Sequence, residues 1–443
     1  MRFVITGDSL FSSRNLSDTI DPKVRQCFAE ADAAFTNAEF TTPRKHTVSA
    51  AGRGYQTSVR PETLKEFARL NIRYVGFANN HTGDFGPDGI MDTLEEARDA
   101  GLIPLGIGED LYEARKPYFI DTRSGRIAII TVGITRSEVF AASYPGNGVP
   151  GRPGLNPLRW KRLYEVSRED FEQLREIASH IGIAQSMEIG KKIETFKPGP
   201  GNQLDFGSLF EGYITFEYGE EPRVKTIANE NDQNEIMKWI RDARNRADFV
   251  FVNIHTHEGR NENWYDDYAP EFVEKFAHEA VDNGADCVFG HGAHFTRGAE
   301  LYGGKPIFYN LGSLMMEFQA GESIITPEMY ASYGYKADEV PSTLHDNRAK
   351  DGNGNWQGFY SDRKFSENFM VSFDMDRDSG RFDYEILPIS LNLTVRVVTK
   401  RGLPVMADSS SRKYLIDRLD AISRAKYSTA VTERDGHIIL EKA

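Results

Sequence analysis

Short apolar runs recur along this chain, and most of them stop at a polar cluster. Residues 3–5, 33–36, 74–78, 126–133, 248–254, 286–289 and 306–310 have the length and the β-branched or aromatic content of strands buried on both faces. Between several of them lie stretches of helical periodicity, at 21–31, 61–70, 89–100, 232–246 and 270–283. Pro61 suits a first helical turn, and Gly101 and Gly284 suit helix ends. Strand–helix alternation predicts an α/β fold with at least partly parallel sheets and helices on their faces.

The alternation breaks twice. Residues 134–230 begin with a Gly- and Pro-rich segment and continue with a helix over about 167–185. A turn at 197–201, with Lys197 on the surface, leads into an irregular aromatic stretch. That region reads as an inserted lid. Residues 319–368 form a second irregular stretch. The predicted organisation is therefore 1–133 and 231–318 as two halves of one core, with antiparallel strands and a closing helix over 369–443 completing it.

The chain has 443 residues, a formal net charge of −13 and ten histidines. An acidic surface argues against nucleic acid or anionic membrane as the main partner. It leaves room for an anionic small molecule, because bound cations invert the local field. Cys27 and Cys287 read as buried thiols, so nothing calls for an oxidising compartment. The first residues run straight into a strand and no segment has membrane-span length, so the expectation is a soluble, cytoplasmic protein. The sequence leaves the oligomeric state open, a homo-oligomer included.

Five histidines fall at strand ends together with carboxylates and amides: Asp8; Asn37 and Glu39; Asn79, Asn80 and His81; His255 and His257; His291 and His294. In open α/β sheets, ligands bind beyond the carboxyl ends of strands. Carboxylate, amide oxygen and imidazole are the mixture that a hydrolytic centre of one or two divalent metals needs, and they suit Mn, Zn or Fe rather than calcium. Asp84 and Asn37 read as hydrogen-bond partners that hold the ligands in place, as does Glu258. Arg152, in Gly-Arg-Pro-Gly, either binds an anionic substrate group or closes a loop. His46, His180, His278, His345 and His437 read as solvated.

The order strand–Gly7-Asp8, Asn37-Ala38-Glu39, Asn79-Asn80-His81-Thr82-Gly83-Asp84-Phe85-Gly86, strand–His255, then Gly290-His291 with His294 resembles the poly-γ-glutamate capsule-synthesis (CapA-like) family. That family is similar to the calcineurin-like metallophosphoesterases. The resemblance implies a layered α/β sandwich of two central mixed sheets flanked by helices. It implies Asp8 and His294 at one metal, Glu39 as the bridging carboxylate, and Asn80, His255 and His291 at a second. It implies His81 as the group that protonates a leaving atom. Leu10 stands where metallophosphoesterases usually place a histidine, and His257 is an added candidate for metal or substrate. The implied activity is metal-dependent hydrolysis of a phosphoester, or of a γ-glutamyl or other amide bond, in a small or polymeric anionic substrate. The alternatives are a non-catalytic accessory protein that binds a polyanion such as poly-γ-glutamate, and a single-metal amide hydrolase.

Overall fold

The structure is a computed structural model that describes residues 1–51, 55–196, 199–317 and 323–443. Lys197, the following proline of the predicted turn, and residues 319–322 at the start of the second irregular stretch lie outside the described residues.

Two mixed sheets form the centre. The first runs Thr429–Arg434, His437–Lys442, Arg381–Ser390, Glu367–Asp376, Arg2–Leu10, Ala33–Ala38, Tyr74–Gly76 and Ile103–Leu105, with Ser313–Met316 also paired to Arg2–Leu10. The second runs Ala299–Tyr302, Lys305–Phe308, Cys287–Gly292, Phe249–Thr256, Gly125–Gly133 and Tyr118–Thr122. The strands that read as unbroken apolar runs are the parallel ones, such as Arg2–Leu10 beside Ala33–Ala38 and Phe249–Thr256 beside Cys287–Gly292.

Each strand sends alternate residues to opposite faces, and here both faces are buried. Phe3 and Ile5 meet Ile127, Ile129, Phe251 and Phe289 in the core between the sheets. Phe3 packs edge-on against Phe251 at 4.9 Å between ring centroids, and Phe35 against Phe289 at 5.2 Å. Val4 faces outward, to the helices Pro22–Ala29 and Gly86–Asp99. Ala128, Ile130 and Val132 face outward on the other side, to Glu230–Arg246 and Glu271–Asp282. The order is helix, sheet, sheet, helix. Each buried Phe or Ile is worth about 1.5–3 kcal/mol of transfer free energy, which explains why these strands read so clearly.

Four readings are corrected. The aromatic stretch before residue 229 is not irregular: Trp160–Val166, Gln203–Ser208, Gly212–Tyr218 and Arg223–Ala228 form a four-stranded sheet. The helix before it is two, Arg168–His180 and Ile183–Ile193, parted at Gly182 with φ 81°. Residues 409–427 do not close the chain's structure, because the hairpin Thr429–Arg434 and His437–Lys442 follows. Within the second irregular stretch lie the helices Pro327–Ser332 and Pro341–Ala349, and His345 on the latter is buried rather than solvated. Cys27 is half-buried, Cys287 is buried, and both are free thiols. Among the described residues no helix is long and apolar enough to cross a membrane.

A buried ion pair pins both ends of the inserted region. Asp232, in the first turn of Glu230–Arg246, accepts from Arg115 at 3.3 Å and from Arg159 at 2.7 and 2.8 Å. Arg115 is 2% exposed and also donates to Asn156 at 2.8 Å. Removing one member of a buried pair strands the other's charge. Asp232→Ala is therefore expected to lower unfolding free energy by about 3–5 kcal/mol, measured by urea denaturation. Arg159→Ala, at the exposed partner, should cost only about 1 kcal/mol or less.

Candidate metal centre

Asp8 does not end its strand, which runs on to Leu10. The pairing with Ala33–Ala38 slips between Ile5 and Asp8, and this irregularity re-aims the carboxylate. Gly7 permits it: a Cβ there would sit 1.8 Å from the Gly312 carbonyl oxygen. Asp8 is fully buried and takes three kinds of donor. Asn37 Nδ2 donates at 2.9 Å, the Gly292 backbone N–H at 2.7 Å, and His291 Nδ1 lies 3.1 Å away. Gly292 reaches it with φ 115°, where a Cβ would press on Thr256.

Glu39 follows its strand directly and is also fully buried. The Asn79-Asn80-His81 turn divides its labour. Asn79 builds the turn, accepting from the His81 N–H at 3.0 Å and donating to the Ala38 carbonyl at 2.8 Å. That frees Asn80 to face the centre, where its Oδ1 accepts from His255 Nε2 at 2.7 Å. His81 is held from behind, its Nδ1 2.6 Å from Asp84 Oδ2, and Asp84 also accepts the Thr57 N–H at 2.8 Å.

His255 and His291 pair across adjacent parallel strands, with their Nδ1 atoms 2.9 Å apart. The strand of His255, Phe249–Thr256, ends before His257. Alternation no longer binds His257, and its Nε2 comes to 3.2 Å from Glu39 Oε1. His294, at φ 64°, puts Nδ1 3.4 Å from Asp8 and 3.6 Å from Glu39. Two sets of three ligand atoms each fall within 4.8 Å of one another: Asp8, His255 and His291, and Glu39, His257 and His294. The resemblance groups them otherwise, with Asp8 and His294 at one metal, Asn80, His255 and His291 at the other, and Glu39 as the bridge. In the structure His294 lies between both carboxylates, and His291 is nearest Asp8.

The electrostatics are those of a cation site, in which, among the described residues, histidines alone pair with the two carboxylates. Burial alone would raise Asp8, but contacts with His255, His291 and His294 hold its carboxyl well below the usual range. Burial pushes Glu39 well above it, and the Asp8 charge adds to the shift. Burial pulls His255 down to about 4, against the pull of Asp8. Burial also takes His257 well below its ordinary value, with His294 and His255 adding. Among the described residues, Glu39 Oε2 and His291 Nε2 are buried without a hydrogen-bond partner. Unpaired buried polar atoms are costly, and a metal ion is the partner that suits a carboxylate oxygen and an imidazole nitrogen alike. The donor set fits a divalent transition metal.

The remaining candidates take other places. Glu258 Oε2 accepts the Thr135 hydroxyl at 2.6 Å and the Thr256 hydroxyl at 2.7 Å, and burial raises its carboxyl. Thr135 Oγ1 in turn accepts the His257 N–H at 2.8 Å, so Glu258 braces the loop that carries His257. Arg152 does not line the centre; its Nε donates to the Ala141 carbonyl at 3.0 Å and closes its loop. A cavity of about 210 Å³ opens over Glu39, Asn80, His81, His257 and His294, with Leu10 on its wall. Arg136, Arg348, Tyr55, Trp264 and Phe359 also line it. No local motif marks these five, since they come from separate loops that only the fold brings together.

The model of the bacterial capsule synthesis protein family, PGA_cap, matches residues 4–317. The chain belongs to that family. An uncharacterized protein of Sinorhizobium fredii (strain NBRC 101917 / NGR234) is 26% identical over 98% of this chain and 91% of its own length. The "PGA biosynthesis protein CapA" of Bacillus subtilis (strain 168) is 22% identical over 68% of this chain and 57% of its own. The "Probable polyglutamine synthesis accessory protein" of Mycobacterium tuberculosis (strain ATCC 25618 / H37Rv) is 24% identical over 59% of this chain and 50% of its own. Among solved structures, a phosphatase of Mycoplasma pneumoniae covers 93% of this chain and 96% of its own, at 12% identity and a TM-score of 0.38. That likeness is loose, and no role is taken from it.

Metal should stabilise the folded chain. At 100-fold excess over the dissociation constant the gain is about 2.7 kcal/mol, which chelation should reverse. Thermal melts with Mn²⁺ or Zn²⁺ are expected to show a rise of several degrees, lost in His291→Ala.

Proposed function

We propose that this chain is a metal-dependent hydrolase acting on a phosphoester bond of an anionic substrate. One observation carries the reading. Two carboxylates and four imidazoles converge on buried, unpartnered ligand atoms, and His81 lies beside them at a cavity. Asp8, Glu39, Asn80, His255, His257, His291 and His294 would hold one or two ions. A bound divalent metal supplies Lewis-acid neutralisation of charge on the reacting group.

The chain's own residues do the rest. Asp84 engages His81 Nδ1, which fixes the ring and leaves Nε2 as the atom that exchanges a proton with the substrate. Nε2 lies 3.3 Å from the Thr57 hydroxyl at the cavity side. The buried carboxylates set the field that draws the cation in, and the aromatic wall limits water around the reacting atoms. The names of the relatives support an anionic substrate, and they extend the candidates to γ-glutamyl polymers. A binding-only role as an accessory protein is the second reading. Leu10 favours it, since an apolar side chain sits on the cavity wall where a further ligand would complete one metal set.

The test is turnover of bis(4-nitrophenyl) phosphate, 4-nitrophenyl phosphate and γ-glutamyl-4-nitroanilide by Mn²⁺-loaded protein. Phosphoester release is expected. His81→Ala should lower kcat by about 10²–10⁴ with metal content unchanged. Release only from the anilide would move the reaction to amide chemistry. No turnover of any of the three by metal-replete protein would leave the accessory reading.

A further inference from the structure

The cavity above the candidate centre is the middle of three. Arg136 lines both it and a neighbouring cavity of about 320 Å³, whose far wall includes Trp160, Lys161 and Arg162 of the inserted sheet. Arg348 lines both it and a cavity of about 370 Å³ on the other side. An arginine thus stands at each junction.

Neither guanidinium has an acidic partner among the described residues. Arg348 is partly buried, and its carbon Cζ lies 4.4 Å from the centroid of the Tyr55 ring and 5.7 Å from that of Tyr333. It donates to the Tyr55 hydroxyl. Tyrosine faces orient a guanidinium without cancelling its charge. In an acidic chain, most arginines near carboxylates pair with them, as Arg115 and Arg159 do with Asp232. A partly desolvated cation with no carboxylate partner among the described residues suits an anion that arrives from outside. Tyr55 also lies 5.8 Å, ring to ring, from His81, which places Arg348 close behind the proposed proton donor.

Arg136 is built differently. It is exposed, at φ 57°, a left-handed conformation that non-glycine residues seldom hold. The backbone there is fixed on both sides. Ile134 N–H donates to the His255 carbonyl at 3.0 Å, and Thr135 is tied to Glu258 and His257. The strain is thus held by the same residues that position His257.

We infer that Arg348 and Arg136 are substrate-positioning residues, each holding an anionic group of the substrate on one side of the reacting bond. The substrate class is then a molecule with at least one carboxylate or phosphate beyond the group that reacts. This rests on the proposed function for the location of the reacting bond, but it concerns binding and needs no turnover. The planar fork of arginine matches either anion bidentately.

Isothermal titration of Mn²⁺-loaded full chain with non-hydrolysable probes separates the possibilities. Methylphosphonate offers one anionic group. 3-Phosphonopropionate adds a carboxylate, and propane-1,3-bisphosphonate adds a second phosphonate. One of the two longer probes is expected to bind about tenfold or more tighter than methylphosphonate, and which one names the outer group. Arg348→Gln should remove most of that preference. Arg136→Gln should reduce it, with a part that also disappears in about 0.5 M salt, as screening of an exposed charge requires. Melting curves and metal content of both variants report whether the fold and the centre are intact. The inference is overturned if wild type shows no preference, or if an intact Arg348→Gln protein keeps all of it. Preference without phosphoester turnover would sink the phosphoester reading and leave these two roles standing.

Discussion

Everything at the centre follows from two carboxylates buried among histidines, with no lysine or arginine paired to them among the described residues. Asp8 and Glu39 are fully buried, and among the described residues their ion-pair partners are histidines alone. Moving a carboxylate out of water costs several kcal/mol even after relaxation. Backbone and amide donors cover part of that at Asp8, through Gly292 and Asn37. Glu39 has no such cover on Oε2, and its carboxyl is driven upward in consequence. The two acids are therefore unequal. One is held charged by its frame, and the other is kept in reserve for a cation.

That inequality was not visible in the sequence, but the convergence was. Strand ends are legible because buried parallel strands are largely apolar, so the polar cluster near the end of each run stands out. Asp8, Glu39, Asn80, His255 and His291 follow from that contrast. The grouping of the histidines does not, because it depends on where His257 and His294 turn after their strands end. The inserted sheet was also hidden. Gly212–Tyr218 is exposed or half-buried along its length, so it carries no apolar run. His345 was misread because little in Pro341–Ala349 distinguishes its inner from its outer face: Leu344 and His345 are both buried, next to each other. Arg136 and Arg348 come from loops and a short helix far apart in sequence, and only tertiary contact gives them a common cavity.

The inserted region contributes a wall more than a cover. Its sheet stands beside the core, and Arg115, Arg159 and Asp232 fix its two roots to one helix end. Fixed in this way, the sheet lines the neighbouring cavity through Trp160, Lys161 and Arg162. Thr135 and Glu258 link that side of the cavity to the loop bearing His257. The wall of the cavity and the position of His257 are in this way mechanically connected.

The strand that carries Asp8 pairs with Ala33–Ala38 on one side and with Glu367–Asp376 on the other, while its far end joins Ser313–Met316. Two of these three partners lie in the final third of the sequence. On the ribosome, Asp8 therefore emerges long before most of what will surround it. Contacts of such wide separation form slowly, and an apolar strand with open edges invites wrong pairing while it waits. The ligand cluster can assemble only after His294 and the strands Ser313–Met316 and Glu367–Asp376 have been made, and the earlier apolar strands need shelter until then.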